Sequence, residues 1–261
     1  MTSNENYLPL FCSSCRQVAL SRNWDDSLLV ATEVDASETY ELGHISIVQC
    51  TSCNKFLGLL DDKSTFYTAE SILANENTKT KTDGWHKIEE SWERMVLFVL
   101  SQVVYKEYEE PDETLLEVEF AFPPPTDLIK ILWVNEQPVG FYSVKVKGTL
   151  DPVAMECYRM TTLDTLFIRR DYRGQGWGSS AVKDLLLEFP QENIGFSFPI
   201  SIPMNRVLKK YLEVTPSDRP RFWEVTGCGT EGNTRNLWLM SRRQPPTSSS
   251  RITASSSSTL E

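Results

Sequence analysis

Apolar residues recur along this chain at two periods, and each period predicts a different kind of element. Between positions 163 and 168 they alternate, which puts Asp164, Leu166 and Ile168 on one face of a strand and Leu163, Thr165 and Phe167 on the other. After glycines at 174, 176 and 178, the apolar residues Val182, Leu185, Leu186 and Phe189 follow the spacing of a helix with one buried face, and Pro190 stops it. Upstream, Ile88, Trp92, Val96, Val99 and Val103 lie three or four apart, with Glu89, Glu90, Glu93 and Arg94 opposite. That predicts one long amphipathic helix over 85–108, its stripe covering the sheet of its own domain. The acidic run 109–113 breaks the helix as a solvated loop, and 114–122 reads as a strand ended by three prolines. The apolar runs 128–134 and 139–147 flank residues 135–138 as a hairpin. Further on, 194–198 reads as a short strand, 204–212 as a helix, and 222–225 with 237–240 as a closing hairpin.

Nearer the N-terminus two apolar runs each lead into a cysteine pair, Cys12-Ser-Ser-Cys15 and Cys50-Thr-Ser-Cys53. Two C-x-x-C turns place four thiolates where a tetrahedral Zn²⁺ can take them, and His44 between them is read as a surface residue. Apolar density then falls towards Gly84. The chain divides accordingly into a small all-β, zinc-ribbon-like domain over 1–75, a linker over 76–84 and an α/β (α+β) domain over 85–243. Residues 244–261 have almost no large apolar side chains and are expected to be disordered. The strings FCSSC and QCTSCNKFLG resemble the yippee-like and cereblon thalidomide-binding zinc folds.

The 261 residues carry a net charge of −10, which argues against nucleic acid as a direct partner and suits a basic, amine-bearing substrate or protein partner. The opening residues have no basic segment followed by an apolar run, and the longest uninterrupted apolar run, 95–100, is far short of a membrane span. An intracellular protein is expected. In that reducing setting cysteines favour metal before disulfides.

The chemistry concentrates at the glycines. A glycine turn feeding a helix start offers unpaired N–H groups and the positive end of the helix dipole, a seat for phosphate oxygens. A P-loop would need Lys-Ser/Thr after the glycine, and Gly178 is followed by Ser179. A Rossmann fingerprint would need an acidic residue about twenty positions on, where Pro199 stands. The pattern present is Arg-x-x-Gly-x-Gly, filled by Arg173, Gly174, Gln175, Gly176, Trp177 and Gly178.

With its strand ending in Phe167 and Ile168, this stretch resembles the GNAT acyltransferase superfamily. The resemblance implies a mixed central sheet flanked by helices and an acetyl-coenzyme A, or other acyl-coenzyme A, whose pyrophosphate rests on Arg173 to Ser179. It further implies an Asn and a Tyr on the next helix, matched by Asn205 and by Tyr211 as general acid to the departing thiolate. An acidic residue on the motif strand would be the base, here Asp164, with Glu156 as a second choice. The phrases ERMVLFVLSQVVYK, KILWVNEQPVGFYSVK, LDTLFIRRDYRGQGWG and FWEVTGCG together resemble the soluble lamina-associated protein family, which implies placement in the nucleus or at its envelope. Two functions follow from these readings: an N-acyltransferase for a basic amine, or a non-catalytic scaffold of the same fold.

Overall fold

The computed structural model describes residues 31–32, 46–49, 53, 55–60, 65–74 and 81–243. Cys12, Cys15, His44, Cys50, most of the expected linker and the tail from 244 lie outside them. Four short strands, β1 (Ala31–Thr32), β2 (Ser46–Gln49), β3 (Phe56–Leu60) and β4 (Phe66–Tyr67), form an antiparallel sheet, followed by helix α1 (Ala69–Leu73). Thr68 caps α1 by accepting from the Ser71 N–H.

A seven-stranded mixed sheet organises the rest. Its strands are β5 (Gly84–Lys87), β6 (Leu128–Val134), β7 (Gln137–Lys145), β10 (Thr161–Ile168), β11 (Ile194–Ser197), β12 (Phe222–Val225) and β13 (Thr234–Asn236), in the order β13-β12-β11-β10-β7-β6-β5. Only β10–β11 and β11–β12 pair in parallel; the other neighbours are antiparallel. β6 and β7 turn at Asn135 and Glu136, both at positive φ, the backbone a two-residue hairpin needs to match strand twist. A small hairpin, β8 (Leu150–Asp151) with β9 (Glu156–Cys157), stands apart from the sheet.

Alternation along the strands fills both faces. Ile129, Ile131, Trp133, Phe141 and Phe167 pack beneath helix α2 (Ser91–Phe98) and the π-helical turns that continue it over Val99–Tyr108. Tyr142, Val144, Leu163 and Phe196 pack beneath α3 (Trp177–Glu188) and α4 (Ile202–Val214). Each large apolar side chain taken fully out of water contributes about 1.5–3 kcal/mol. Leu59 and Ile72 join Val96 and Leu100 in the first cluster, so the small sheet and α1 share a core with α2.

The long helix expected from 85 begins only at Ser91, and Trp85 belongs to β5, an edge strand on β6. Glu93, expected on the solvent side, is buried. It closes a reciprocal cap with Glu90, accepts from the Glu89 and Glu90 N–H groups at 2.7 and 3.1 Å, and meets Lys81 at 2.7 Å. The expected strand over 114–122 is instead a 3-10 turn (Glu113–Leu115) and irregular chain. In the closing hairpin the partner of β12 is β13, while Leu237–Arg243 forms helix α5.

Candidate active site

β10 and β11 hold each other for three residue pairs, from Thr161↔Ile194 to Leu163↔Phe196. Beyond Leu163, β10 continues five residues with pairing only to β7, so the sheet opens on the side β11 has left. At that point the β10–β7 register slips by one residue, between Leu163 and Thr165, making Asp164 the extra residue of a β-bulge. Asp164 is exposed, lines the resulting cavity, and accepts a hydrogen bond from Ser197 Oγ at 2.7 Å. The bond crosses the gap between the parting strands. Asp164 therefore has a hydroxyl partner, while Arg169 pairs with Glu109.

The glycine loop lies at the other end of the same cleft. After β10, a 3-10 turn (Arg170–Tyr172) leads to Arg173, then Gly174 at φ 77° and Gly176 at φ 93°, and α3 starts at Trp177 with no side-chain cap. Both φ values lie in the left-handed region that favours glycine, and a Cβ at either position would meet no heavy atom within 4 Å. Those two faces are open to a ligand. Gly178 differs, since a Cβ there would touch Val207 of α4 at 3.4 Å. Gly174, Gly178, Arg173 and Trp177 line a second cavity, which shares Leu166, Ser201 and Met204 with the first, so the two form one cleft along β10. The open glycine faces, the uncapped helix start and one guanidinium fit the pyrophosphate of coenzyme A.

The other expected residues divide. Phe167 is buried against Tyr105 and Phe141, so only its backbone can face the cleft, and Ile168 lines the loop end with its carbonyl held by Arg173 Nε at 2.8 Å. The Gln175 amide turns back to the Asp171 carbonyl, and Ser179 lies in the first turn of α3. Two expectations need correction. Tyr211 lines neither cavity: its ring stacks on Phe222 and its hydroxyl donates to Asp218 at 2.7 Å, with burial and that acid pushing it up to about 12. Asn205 lines neither cavity either, its amide donating to the Ile200 carbonyl at 2.9 Å. Glu156 belongs to the outlying β8–β9 hairpin.

Three cleft residues escaped the sequence reading. Ser197 could have been found from parallel register, since it follows Asp164 at the 33-residue step that pairs β10 with β11. Tyr105 donates to the Val118 carbonyl at 2.7 Å and is pushed up to about 12 by burial and by the charge of Glu117. Glu117 itself reaches Arg173 Nη1 at 3.1 Å, in a segment that gave no signal of a site.

Among the described residues, no group of three or more His, Cys, Asp or Glu is arranged to hold a metal, and Cys53 sits in an exposed turn. No helix among them is long and apolar enough to cross a membrane.

Residues 85–198 match the acetyltransferase (GNAT) family, so the parted strands and glycine loop fall within or against the matched span. The chain is 36% identical over 215 residues to protein FAM169B of Mus musculus, covering 77% of this chain and 63% of the mouse protein. It is 31% identical over 146 residues to protein FAM169BP of Homo sapiens, covering 52% of this chain and 74% of the human one. Among solved structures, the aminoglycoside antibiotic 6'-N-acetyltransferase AAC(6')-Ih of Acinetobacter baumannii aligns at 12% identity and a TM-score of 0.32, over 51% of this chain and 88% of that one. An aminoglycoside acetyltransferase from an uncultured soil metagenomic sample aligns at 13% and 0.30 over the same shares.

Proposed function

This chain belongs to the FAM169B family, and from that premise we propose that its GNAT-type domain is an acyl-coenzyme A-dependent N-acyltransferase for an amine-bearing substrate. The observation that carries this reading is the single cleft that runs from Gly174 and Gly178 of the glycine loop to the bulged Asp164. Arg173 and the N–H groups at the start of α3 hold the pyrophosphate; when bound, acetyl-coenzyme A supplies the activated thioester. The β10 backbone on the side β11 has left is available to polarise the acyl carbonyl. Asp164 takes the proton of the incoming ammonium, with Ser197 holding the carboxylate in place. Tyr211 and Asn205 have no part in this arrangement. Calorimetry with acetyl-coenzyme A, followed by acetyl transfer to a Lys-rich peptide pool, tests it; a parent protein that binds no coenzyme overturns it.

The scaffold reading draws on one observation, the engagement of the Tyr211 hydroxyl by Asp218 away from the cleft. It gains if coenzyme binds and no amine is acylated. Two further parts of the proposal rest on sequence. Cys12, Cys15, Cys50 and Cys53 have the spacing to hold one Zn²⁺ in an N-terminal module ahead of residue 76. Placement in the nucleus or at its envelope rests on the resemblance to the lamina-associated family.

A further inference from the structure

Arg173 is the only Lys or Arg that lines either cavity of the cleft among the described residues. Its Nε is fixed on the Ile168 carbonyl at 2.8 Å, which leaves the far end of the fork for a partner. That partner is Glu117, whose Oε1 lies 3.1 Å from Nη1 with the carboxylate largely buried, at 12% side-chain exposure. The contact is built. Glu117 Oε2 accepts from the Asp112 N–H at 3.1 Å, the Glu117 N–H donates to the Asp112 carbonyl at 3.1 Å, and the next carbonyl, of Val118, is held by Tyr105 at 2.7 Å. Leu116 takes a left-handed φ of 57°, rare for a leucine, so the chain accepts a strained residue in this turn.

Glu117 also lines both cavities, the one at the glycine loop and the one containing Asp164. On the coenzyme reading above, we infer that Glu117 couples the two substrates and selects cationic amine acceptors over neutral ones. The electrostatics are those of one carboxylate shared between two claims. A pyrophosphate reaching for Arg173 competes with Glu117 for the same guanidinium. Once phosphate has it, the carboxylate is left largely buried without its counter-charge, facing a cavity where an ammonium restores the balance. A cation in the acceptor cavity conversely draws Glu117 off Arg173 and frees that group for phosphate. Each ligand therefore raises the affinity of the other by the same factor.

The test is calorimetric titration of free coenzyme A into the full chain at low salt, with and without a saturating Lys-bearing peptide, for the parent, Glu117→Gln and Glu117→Ala. The parent should bind coenzyme A more tightly when the peptide is present. Both variants should bind it about three- to tenfold more tightly than the parent without peptide, the range of a partly exposed ion pair released. Neither should respond to the peptide. Melting temperatures establish that the variants are folded. If they are, and bind no more tightly than the parent, Glu117 does not compete and the inference fails alone. If both unfold, the parent's response to the peptide still decides, and no response overturns it. Absence of coenzyme binding in all three removes the coenzyme reading and this inference together.

Discussion

Asp164 and Asp127 lie close enough that the charge of one bears on the other, but their surroundings set them different tasks. Asp164 is exposed at a bulge, open to the cleft and held in place by a hydroxyl partner. By strand spacing it stands ~13 Å from Ile168, the last residue of β10 before the turn into the glycine loop. Asp164→Asn is thus expected to lower turnover by about 10² to 10⁴-fold while leaving coenzyme affinity within about twofold, as for loss of a general base. Parallel loss of affinity, turnover and melting temperature would instead mark a structural residue. Asp127 is buried with Lys145 at 2.8 Å, and burial, only partly offset by that lysine, pushes it up to about 6. Because its folded value is raised above the ordinary one, its contribution to stability is full below about pH 4 and is lost as pH rises through about 6. The loss, about 3 kcal/mol from a shift of roughly two pH units, should appear as a fall in the parent's melting temperature relative to Asp127→Asn between pH 4 and 7. A constant difference over that range would show that Asp127 does not titrate there. Asp164 was legible because a strand period and a motif fix its place. Ser197 and Glu117 were not, because one depends on the offset between two strands and the other lies in an alternating stretch that reads as a strand and folds as irregular chain.

At the scale of elements, the periods that held are those whose partners lie on both sides. The strand at 161–168, the helix at 177–188 and the hairpin around Asn135 all follow from their patterns, with ends shifted by a few residues. Two patterns misled for physical reasons. Trp85 and Ile88 fit the helical spacing that continues to Val103, yet residues 84–87 pair with β6, whose outer edge would otherwise stand open. Residues 116–122 alternate as a strand should, but the Val118 carbonyl is taken by a tyrosine hydroxyl and Phe120 stacks on the ring of Tyr105 at 4.4 Å. Alternation without a ladder partner yields a packed irregular segment. The glycine loop supplies the prediction at this scale. Gly176→Asp asks a side chain to adopt φ 93° and sets a negative charge on an open face beside the α3 N–H groups. Coenzyme A binding should fall below detection by calorimetry, with the sheet intact by circular dichroism. A folded variant that binds as the parent does would place the pyrophosphate elsewhere.

Across the whole molecule, the question is whether the N-terminal segment is an appendage or part of the body. Leu59 and Ile72 are 1% and 0% exposed, in the same cluster as Val96, Leu100 and Tyr105, and Tyr105 lines the cleft. A small sheet with five-residue strands at most has little core of its own, and such modules usually need a metal or a larger partner to fold. Here the observed packing supplies the partner, and the proposed zinc would add the metal. If one Zn²⁺ is held by the four cysteines, native mass spectrometry of the purified chain should show a single zinc increment that chelator removes. Removing it should loosen β2 and β3 first, and through Leu59 and Ile72 the effect should pass to α2 and the turns after it. Amide hydrogen exchange should then rise in 46–73 and, to a smaller extent, in 91–105, while α3 and α4 on the far face of the sheet keep their protection. Ile72→Ala should reproduce the second effect with the metal in place, at a cost of about 2–5 kcal/mol for an emptied core position. A chain that carries no zinc, or one whose 46–73 region exchanges unchanged after chelation, would end the metal proposal. Protection of 91–105 unaffected by Ile72→Ala would mean that the shared cluster carries no stability from one side to the other.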